Sequence, residues 1–392
     1  MKRVVCPVCG KKNDNGNKIF NRDFSGMKEI VPYTKYTVFE CNGCGMVYAG
    51  NVEESMPLDE YYNVMSKYEG SFKTASVIND LYERIADFLE QYVNKTARIL
   101  DVGCAFGGLL NVLKSRGYEN LSGLEPSKKN CNYAMEHYGI KVYHGALGYN
   151  NQFVHEGGTS VDLIILSAVL EHIDDIKVTL QEAKKLLSSN GMICIIVPDA
   201  DLFCDNVDLY QEFSTEHINY FNSDSLKQLF MRLKMKYVSE HHDRVCLHGL
   251  AGNVMMLWQL DNKDKMVSEP VLLNGKIRQY ISQCADFAEE IKIKVSHEKM
   301  ENGVYIWCAG TMTAMLYQLG IISPSVVREI VDSNLNYQGH EIFGHIVKSP
   351  EVLKSMPELP IIIASQYAEN VIRKQIDIWG LKNRVISLFD EK

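Results

Sequence analysis

The stretch that most constrains the fold is a predicted strand, glycine turn and helix that begins at Arg98. The strand Arg98–Val102 is a short apolar run, residues 103–108 are rich in glycine, and residues 109–114 begin an amphipathic helix. Glycine lets the backbone adopt conformations closed to other residues and approach a ligand closely. The helix that follows presents free N–H groups and the positive end of its dipole. This combination predicts a cofactor site.

Two acidic residues narrow the choice of cofactor. Asp101 stands two residues before Gly103, and the next glycine is Gly107, so the turn departs from the Gly-x-Gly-x-x-Gly pattern of dinucleotide sites. A carboxylate there would repel a pyrophosphate but can accept a hydrogen bond from an ammonium group, which favours S-adenosylmethionine (SAM). Glu125, at the end of the next predicted strand, is placed to accept the ribose hydroxyls of an adenosine, a role shared by NAD and SAM sites.

A separate motif lies near the N-terminus, where two Cys-x-x-Cys-Gly knuckles contain Cys6, Cys9, Cys41 and Cys44. Each pair places two thiolates on one tight turn, and four thiolates complete a closed tetrahedral zinc site. A closed site has no free position for water or substrate, so we expect a structural Zn²⁺. A redox dithiol would need one pair beside a helix start. The spacing alone leaves an iron–sulfur cluster open.

The charge and hydropathy of the chain argue against a nucleic-acid-binding protein, a protein with a signal peptide and a membrane-spanning protein. The 392-residue chain has a formal net charge of −8 at pH 7, and no run of Lys and Arg stands out, which counts against a nucleic-acid partner. The N-terminus has no apolar signal core, and the longest apolar runs, such as residues 161–170, are too short to span a bilayer. We therefore expect a cytoplasmic protein without a membrane partner.

A candidate catalytic group lies in residues 211–222, after the last predicted parallel strand. This segment falls at the carboxyl ends of the strands, where open α/β sheets bind ligands. Because histidine in general can exchange a proton near neutral pH, His217 is a candidate base, and Glu216 and Tyr220 are polar neighbours that can orient it. The alternative is a purely structural histidine. Upstream, Tyr61, Tyr62 and Tyr68 precede an amphipathic helix predicted over residues 76–92, and they either cover the active site or only pack.

Over residues 97–260 the sequence resembles the class I SAM-dependent methyltransferases. The resemblance rests on the Asp101 turn, on Glu125, on the strand that leads into Leu-Glu-His at residues 170–172, and on a helix ended by Asn190-Gly191 before a strand. It implies a doubly wound α/β domain. The cofactor contacts that it implies are Asp101, Gly103, Cys104, Gly107, Glu125, Pro126, Leu147, Ser167, Leu170 and His172.

The whole chain resembles the three-part sugar C-methyltransferases, which act on nucleotide-linked keto-deoxysugars. The paired knuckles, the Glu216-His217 pair with Tyr220, His248-Gly249, and a second strand and glycine turn at Ala309-Gly310 carry this resemblance. The implied segments are a zinc-binding domain (1–57), a helical lead-in (58–95), a SAM-dependent methyltransferase domain (96–262), a helical connector (263–301) and a smaller C-terminal Rossmann-like α/β domain (302–392).

The resemblance also implies a reaction. His217 would remove a proton next to the carbonyl of a ketosugar, and Glu216 would orient the imidazole. Ser214 stands where that family usually has a tyrosine, and the same base suits a hydroxyl acceptor. We therefore expect a methyltransferase for a nucleotide-linked sugar or related carbohydrate. The alternatives are an O-methyltransferase for another small molecule and a non-catalytic zinc-containing adaptor or RNA-binding protein.

Overall fold

The computed structural model describes residues 3–12, 17–58, 60–61, 75–148, 151–158, 160–205, 207–244, 252–261 and 275–389. Tyr62, Tyr68, His248 and Gly249 therefore lie outside the described residues. Within the described ranges, no helix combines the length and hydrophobicity that crossing a bilayer requires.

An antiparallel sheet forms the N-terminal part of the chain. Its consecutive strands are β1 (Asn17–Asp23), β2 (Tyr33–Glu40) and β3 (Val47–Glu54), with the short 3₁₀ helix Ser25–Met27 between the first two. The second cysteine knuckle is the turn that joins β2 to β3. The second pair of the cysteines predicted to bind zinc is thus fixed to a hairpin.

A seven-stranded sheet follows, with strand order β6-β5-β4-β7-β8-β11-β10. Only β11 runs against its neighbours β8 and β10, and the other pairings are parallel. The helices and strands of this region, in chain order, are α1 (Ala75–Glu90), β4 (Arg98–Val102), α2 (Gly108–Ser115), β5 (Asn120–Glu125), α3 (Lys128–Tyr138), β6 (Lys141–His144), α4 (Gln152–His155), β7 (Val161–Ser167), α5 (Ile176–Leu186), β8 (Leu187–Pro198), β9 (Asn219–Tyr220), α6 (Ser223–Arg232), β10 (Met235–Asp243) and β11 (Asn253–Leu260).

The central strands are apolar on both faces because helices cover both sides of the sheet. Leu100 and Ile164 belong to one hydrophobic cluster, whereas their neighbours Ile99 and Leu163 belong to another on the opposite face. This is the doubly wound α/β arrangement that the sequence predicts. The carboxyl ends of the parallel strands meet at one edge of the sheet.

One local prediction is wrong. Asn190-Gly191 does not end a helix, because α5 already ends at Leu186 and both residues lie within β8. Leu187 has extended backbone angles (φ −75°, ψ 144°), so the chain leaves the helix there. Residues 188–191 then form an irregularity in the pairing of β7 with β8.

The C-terminal part contains a second parallel sheet, with strand order β13-β12-β16-β17. The strand predicted before the Ala309-Gly310 turn is present at Val304–Trp307. The elements are α7 (Gly275–Ser296), β12 (Val304–Trp307), α8 (Thr311–Gln318), β13 (Val327–Val331), β14 (Glu341–Ile342), β15 (His345–Ile346), β16 (Ile361–Ile363), α9 (Glu369–Trp379) and β17 (Val385–Ile386).

Helix α7, which the sequence suggests as a connector, is also part of the core. Its buried face includes Ile277, Tyr280 and Cys284. These residues belong to a hydrophobic cluster that also contains residues of the N-terminal sheet, of the segment 200–220 and of the C-terminal sheet. Tyr280 packs edge-on against Phe213, with ring centroids 5.7 Å apart. The helix therefore joins the segment around residue 213 to the C-terminal part of the chain.

Candidate functional site

A cavity of about 340 Å³ opens at the carboxyl ends of β4, β5 and β7. Its volume lies at the lower end of the range typical of small-molecule sites, roughly 300 to 1,000 Å³. The residues predicted to contact the cofactor that line this cavity are Asp101, Gly103, Cys104, Glu125, Pro126, Leu147, Ser167 and His172. The topology thus brings together residues that are up to 71 positions apart in the sequence.

Two of the predicted cofactor residues, Gly107 and Leu170, do not line the cavity. Gly107 has a φ of 79°, and a Cβ atom there would lie 3.0 Å from the Cβ of Ala134, so the glycine permits α2 and α3 to pack closely. Leu170 is fully buried in a hydrophobic cluster, and its carbonyl accepts a hydrogen bond from Asn219 Nδ2 at 2.9 Å. Both residues support the walls of the site from behind.

Asp101 lies on the cavity wall and is only 3% exposed. Burial, with a smaller contribution from the nearby Glu125 carboxylate, raises the pKa of Asp101 to about 8. The uncharged form therefore predominates at neutral pH. A ligand that places an ammonium group beside Asp101 would favour the carboxylate.

Glu125 is held by the backbone of the glycine turn and of the next helix. Its Oε2 accepts the Ala105 N–H at 3.0 Å, and its Oε1 accepts the Ser127 N–H at 2.9 Å. Burial raises the pKa of Glu125, and these donors oppose the rise. Oε2 has a second lone pair, and the only other donor to Oε1 among the described residues, Asn130 Nδ2, is a long 3.4 Å away, so Glu125 can also accept ribose hydroxyls. The Glu125 carboxylate therefore fits the ribose of an adenosine.

Strained backbone occurs at two positions that line the cavity and that the sequence does not reveal. Ala105 (φ 46°) and Ala168 (φ 54°) both have left-handed angles, which are uncommon for residues with a Cβ atom. Such strain concentrates at functional sites. Neither residue is a glycine, so composition gives no signal for these turns.

Helix α1 also contributes to the cavity, through Leu81 and Tyr82. A Cβ atom on Gly108 would lie 2.6 Å from the Tyr82 ring, so the glycine at the start of α2 makes room for this ring. The sequence predicts the helix but assigns it to a lead-in segment. Its apolar spacing indicates a buried face without indicating what that face covers.

Of the three predicted catalytic residues, only Glu216 lines the cavity, whereas His217 lies behind His172 and does not line it. Glu216 lines it together with His172, and the ring of His217 meets the ring of His172 edge to face, with centroids 4.8 Å apart. Ser214 Oγ accepts the backbone N–H of His217 at 3.1 Å, which fixes the turn. The Tyr61 hydroxyl donates to Glu216 Oε1 at 2.9 Å. Tyr61 therefore belongs to the site.

Tyr220 has a different position from the other two predicted catalytic residues. It is buried, its hydroxyl donates to the backbone oxygen of His217 at 2.9 Å, and its ring packs against Phe213. Burial raises the pKa of Tyr220 well above its usual value. The structure does not place this phenol on the cavity wall. It supports the main chain that carries His217.

Arg3 ties the N-terminal segment to the same region, and the sequence gives no sign of it. Its guanidinium donates to the backbone oxygens of Ala49 (3.1 Å) and Ile218 (2.9 Å) and to Asn219 Oδ1 (2.7 Å). It also forms an ion pair with Asp174 at 2.9 Å. β9 pairs with β3 beside these contacts. The segment just after His217 is therefore an edge strand of the N-terminal sheet.

The two cysteine knuckles meet in space. The Sγ atoms of Cys6 and Cys44 are 3.5 Å apart, those of Cys9 and Cys41 are 3.6 Å apart, and all four lie within 4.8 Å of one another. A tetrahedral ion with Zn–S bonds of about 2.3 Å separates its sulfur ligands by roughly 3.8 Å. The donor set and its spacing fit such an ion.

Comparison with known proteins identifies relatives of the domain that contains the cavity. Residues 76–240 match the family model described as a methyltransferase domain. Curated relatives include the ubiquinone biosynthesis O-methyltransferases of Rhizobium etli, 30% identical over 101 residues, and of Pelagibacter ubique, 31% identical over 103 residues. These matches cover 25% and 26% of this chain. The chain spans 40% and 42% of the length of these relatives.

Similar solved structures include a Pyrococcus horikoshii protein, with 18% identity, a TM-score of 0.39, and coverage of 52% of this chain and 99% of that one. Magnesium protoporphyrin IX methyltransferase from Synechocystis has 11% identity and a TM-score of 0.41, over 52% of this chain and 98% of that one. Together, the family match and the strand order identify residues 76–240 as a methyltransferase domain with the class I α/β fold.

Proposed function

We propose that the protein transfers a methyl group from SAM to a small-molecule acceptor that binds beside His172, Glu216 and His217. One observation carries this proposal: the cavity that contains Asp101 and Glu125 continues to His172 and Glu216. Groups suited to an ammonium and a ribose thus share one enclosure with groups suited to proton transfer. The non-catalytic adaptor alternative leaves this arrangement unexplained.

Residues at one end of the cavity would bind the cofactor, and residues at the other end would bind the acceptor and accept its proton. Bound SAM would supply an electrophilic methyl group on a sulfonium. Asp101 would hold the ammonium of the methionine end, and Glu125 would hold the ribose hydroxyls. At the other end His217 would accept a proton from the acceptor, and the adjacent Glu216 accepts a hydrogen bond from Tyr61. Desolvation by the apolar walls would strengthen each of these interactions.

The proposed acceptor is a nucleotide-linked sugar or a related carbohydrate. Support comes from the organisation of the chain, which has a four-cysteine cluster beside an N-terminal sheet and a second parallel sheet at its C-terminus, as the sequence resemblance implies. The C-terminal Rossmann-like unit would then hold part of the acceptor. Its neighbour α7 packs against the segment that precedes Ser214.

A second candidate is O-methylation of a different small molecule. Ser214 Oγ accepts hydrogen bonds from the N–H groups of Glu216 (3.3 Å) and His217 (3.1 Å), so this side chain stabilises the turn. It supplies no phenol that could stabilise the enolate formed when a ketosugar loses a proton next to its carbonyl. An oxygen acceptor needs only a base. The curated relatives are themselves named as O-methyltransferases.

We further propose that Cys6, Cys9, Cys41 and Cys44 bind a structural Zn²⁺. Four thiolates would fill a tetrahedral shell and leave no position for substrate. The ion would fix the β2–β3 hairpin to the N-terminal loop. The cytoplasm, where thiols remain reduced, is the compartment that suits this site.

Calorimetric titration with S-adenosylhomocysteine tests the cofactor site. We expect micromolar binding to the wild type and about 100-fold weaker binding to Glu125→Ala, because two hydrogen bonds to a charged acceptor are lost. Asp162→Asn is a matched control, since this carboxylate lies near the start of β7, away from the cavity. An absence of binding to zinc-loaded wild type would refute the proposal.

The acceptor requires a separate experiment. The wild type is incubated with methyl-labelled SAM and a panel of nucleotide-linked ketosugars, hydroxyl sugars and phenols, and labelled products are separated by chromatography. Label on a sugar carbon supports the first candidate, whereas label on a phenolic oxygen supports the second. His217→Asn should retain S-adenosylhomocysteine binding and lose methyl transfer.

A further inference from the structure

A compact group of metal-ligating atoms lies at the end of the cavity lined by His172 and Glu216, called here the acceptor end. Of its three side chains, His172 lines the cavity and the other two lie behind it. Glu171 and His172 are consecutive in the 3₁₀ turn after β7, and His217 comes from the segment before β9. One ligand atom from each lies within 4.8 Å of the other two. Residues 45 positions apart in the chain therefore converge on a single point.

Glu171 is the unusual member of this group. It is 2% exposed, and its Oε2 has no hydrogen-bond partner among the described residues. Its Oε1 lies 4.0 Å from His172 Nε2, beyond hydrogen-bond distance. Burial of a carboxylate oxygen without a partner is costly. The described structure therefore leaves a buried acceptor that a cation would satisfy.

The chemistry of the group indicates which cation. Two imidazoles and one carboxylate are a common ligand set for Zn²⁺ and for other divalent transition metals, and three protein ligands leave positions open for substrate. Bonds of about 2.1 Å place ligand atoms roughly 3.0 to 3.4 Å apart. The observed limit of 4.8 Å requires a contraction that side-chain rotations can supply.

We propose that Glu171, His172 and His217 bind a divalent transition-metal cation, and that this cation binds an oxygen atom of the acceptor. Because His172 lines the cavity, the open positions of the cation would face the space left for the acceptor. A bound cation polarises a carbonyl or lowers the pKa of a hydroxyl. The role in methyl transfer rests on the proposed function, whereas cation binding itself does not.

This assignment changes the role of His217. A ring nitrogen of His217 would be a ligand, so the proton lost by the acceptor would pass to the carboxylate of Glu216, which lines the same cavity. The Tyr61 hydroxyl, at 2.9 Å from Glu216, would remain in place to orient it. The cation-bound and cation-free sites therefore use different bases.

The test is titration of the whole protein, loaded with only one equivalent of zinc per chain for the four-cysteine cluster, with Mn²⁺ followed by electron paramagnetic resonance, and with Co²⁺ followed by calorimetry. Neither ion displaces zinc from thiolates readily, so the four-cysteine cluster does not contribute. We expect one additional ion per chain. Binding should weaken at least about tenfold in Glu171→Gln and in His217→Asn. His137→Asn, an exposed histidine on α3, is the control and should bind normally.

Thermal melting separates a ligand role from a folding defect. Wild type should gain stability with added Mn²⁺, and Glu171→Gln should melt at least as high as metal-free wild type without responding to the ion. An absence of binding of both ions, or unchanged binding by Glu171→Gln, would overturn the inference. Neither assay uses SAM or an acceptor, so the two assays test cation binding alone. Titration with S-adenosylhomocysteine tests the proposed cofactor site separately.

Discussion

The raised pKa of Asp101 predicts that affinity for SAM and S-adenosylhomocysteine depends on pH. With a pKa of about 8, roughly nine in ten free molecules carry a protonated Asp101 at pH 7. The ammonium of the ligand requires the carboxylate, so binding must release this proton. Affinity should therefore rise about tenfold from pH 6 to pH 7 and about fivefold from pH 7 to pH 8, and then level off.

Calorimetry in buffers of different ionisation enthalpy measures both the affinity and the proton released. At pH 7 we expect release of about 0.9 proton per bound ligand, which is the protonated fraction of Asp101. Asp101→Asn should bind more weakly with a flat profile. Glu125→Gln should bind more weakly and remain pH-dependent, with the profile moved to lower pH because the Glu125 charge contributes to the raised pKa of Asp101. A flat profile in wild type, or a slope that survives in Asp101→Asn, would refute the reasoning.

Three further substitutions test the acceptor end and its support. Tyr61→Phe removes the hydrogen bond to Glu216, and we expect a methyl-transfer rate about tenfold lower with unchanged S-adenosylhomocysteine affinity; an unchanged rate would contradict this. Arg3→Ala should lower the free energy of unfolding in urea by about 3 kcal/mol, because Asp174 and buried carbonyls lose their donor; a wild-type denaturation midpoint would count against it. Cys41→Ser should contain one zinc per chain fewer than wild type on elemental analysis and melt at a lower temperature, and a zinc content equal to that of wild type would exclude the four-cysteine site.

The cofactor end of the site was largely predictable because it depends on local patterns. A strand, a glycine turn and a helix are encoded in consecutive residues, and β4 and β5 end at the positions expected for Asp101 and Glu125. Parallel strands bring their carboxyl ends to one edge of a sheet. The position of these two carboxylates in one cavity follows from those facts alone.

The acceptor end was only partly predictable because it depends on long-range contacts. Tyr61 is 155 positions from Glu216, and Arg3 is 215 positions from Ile218. No periodicity relates such pairs. Tyr220 illustrates the same limit: its proximity to His217 in sequence suggested a shared site, but the extended backbone of β9 directs its ring into an aromatic core. Local spacing indicates which side chains are close without indicating which way they face.

The two ends of the cavity depend on different parts of the fold. Asp101 and Glu125 are fixed by the seven-stranded sheet and by backbone N–H groups of its own turns. His217 is followed directly by β9, which pairs with β3 of the N-terminal sheet. Because that sheet also carries the second cysteine knuckle, the integrity of the knuckle bears on the position of His217 far more than on Glu125. Changes in the N-terminal region should therefore alter methyl transfer before they alter cofactor affinity.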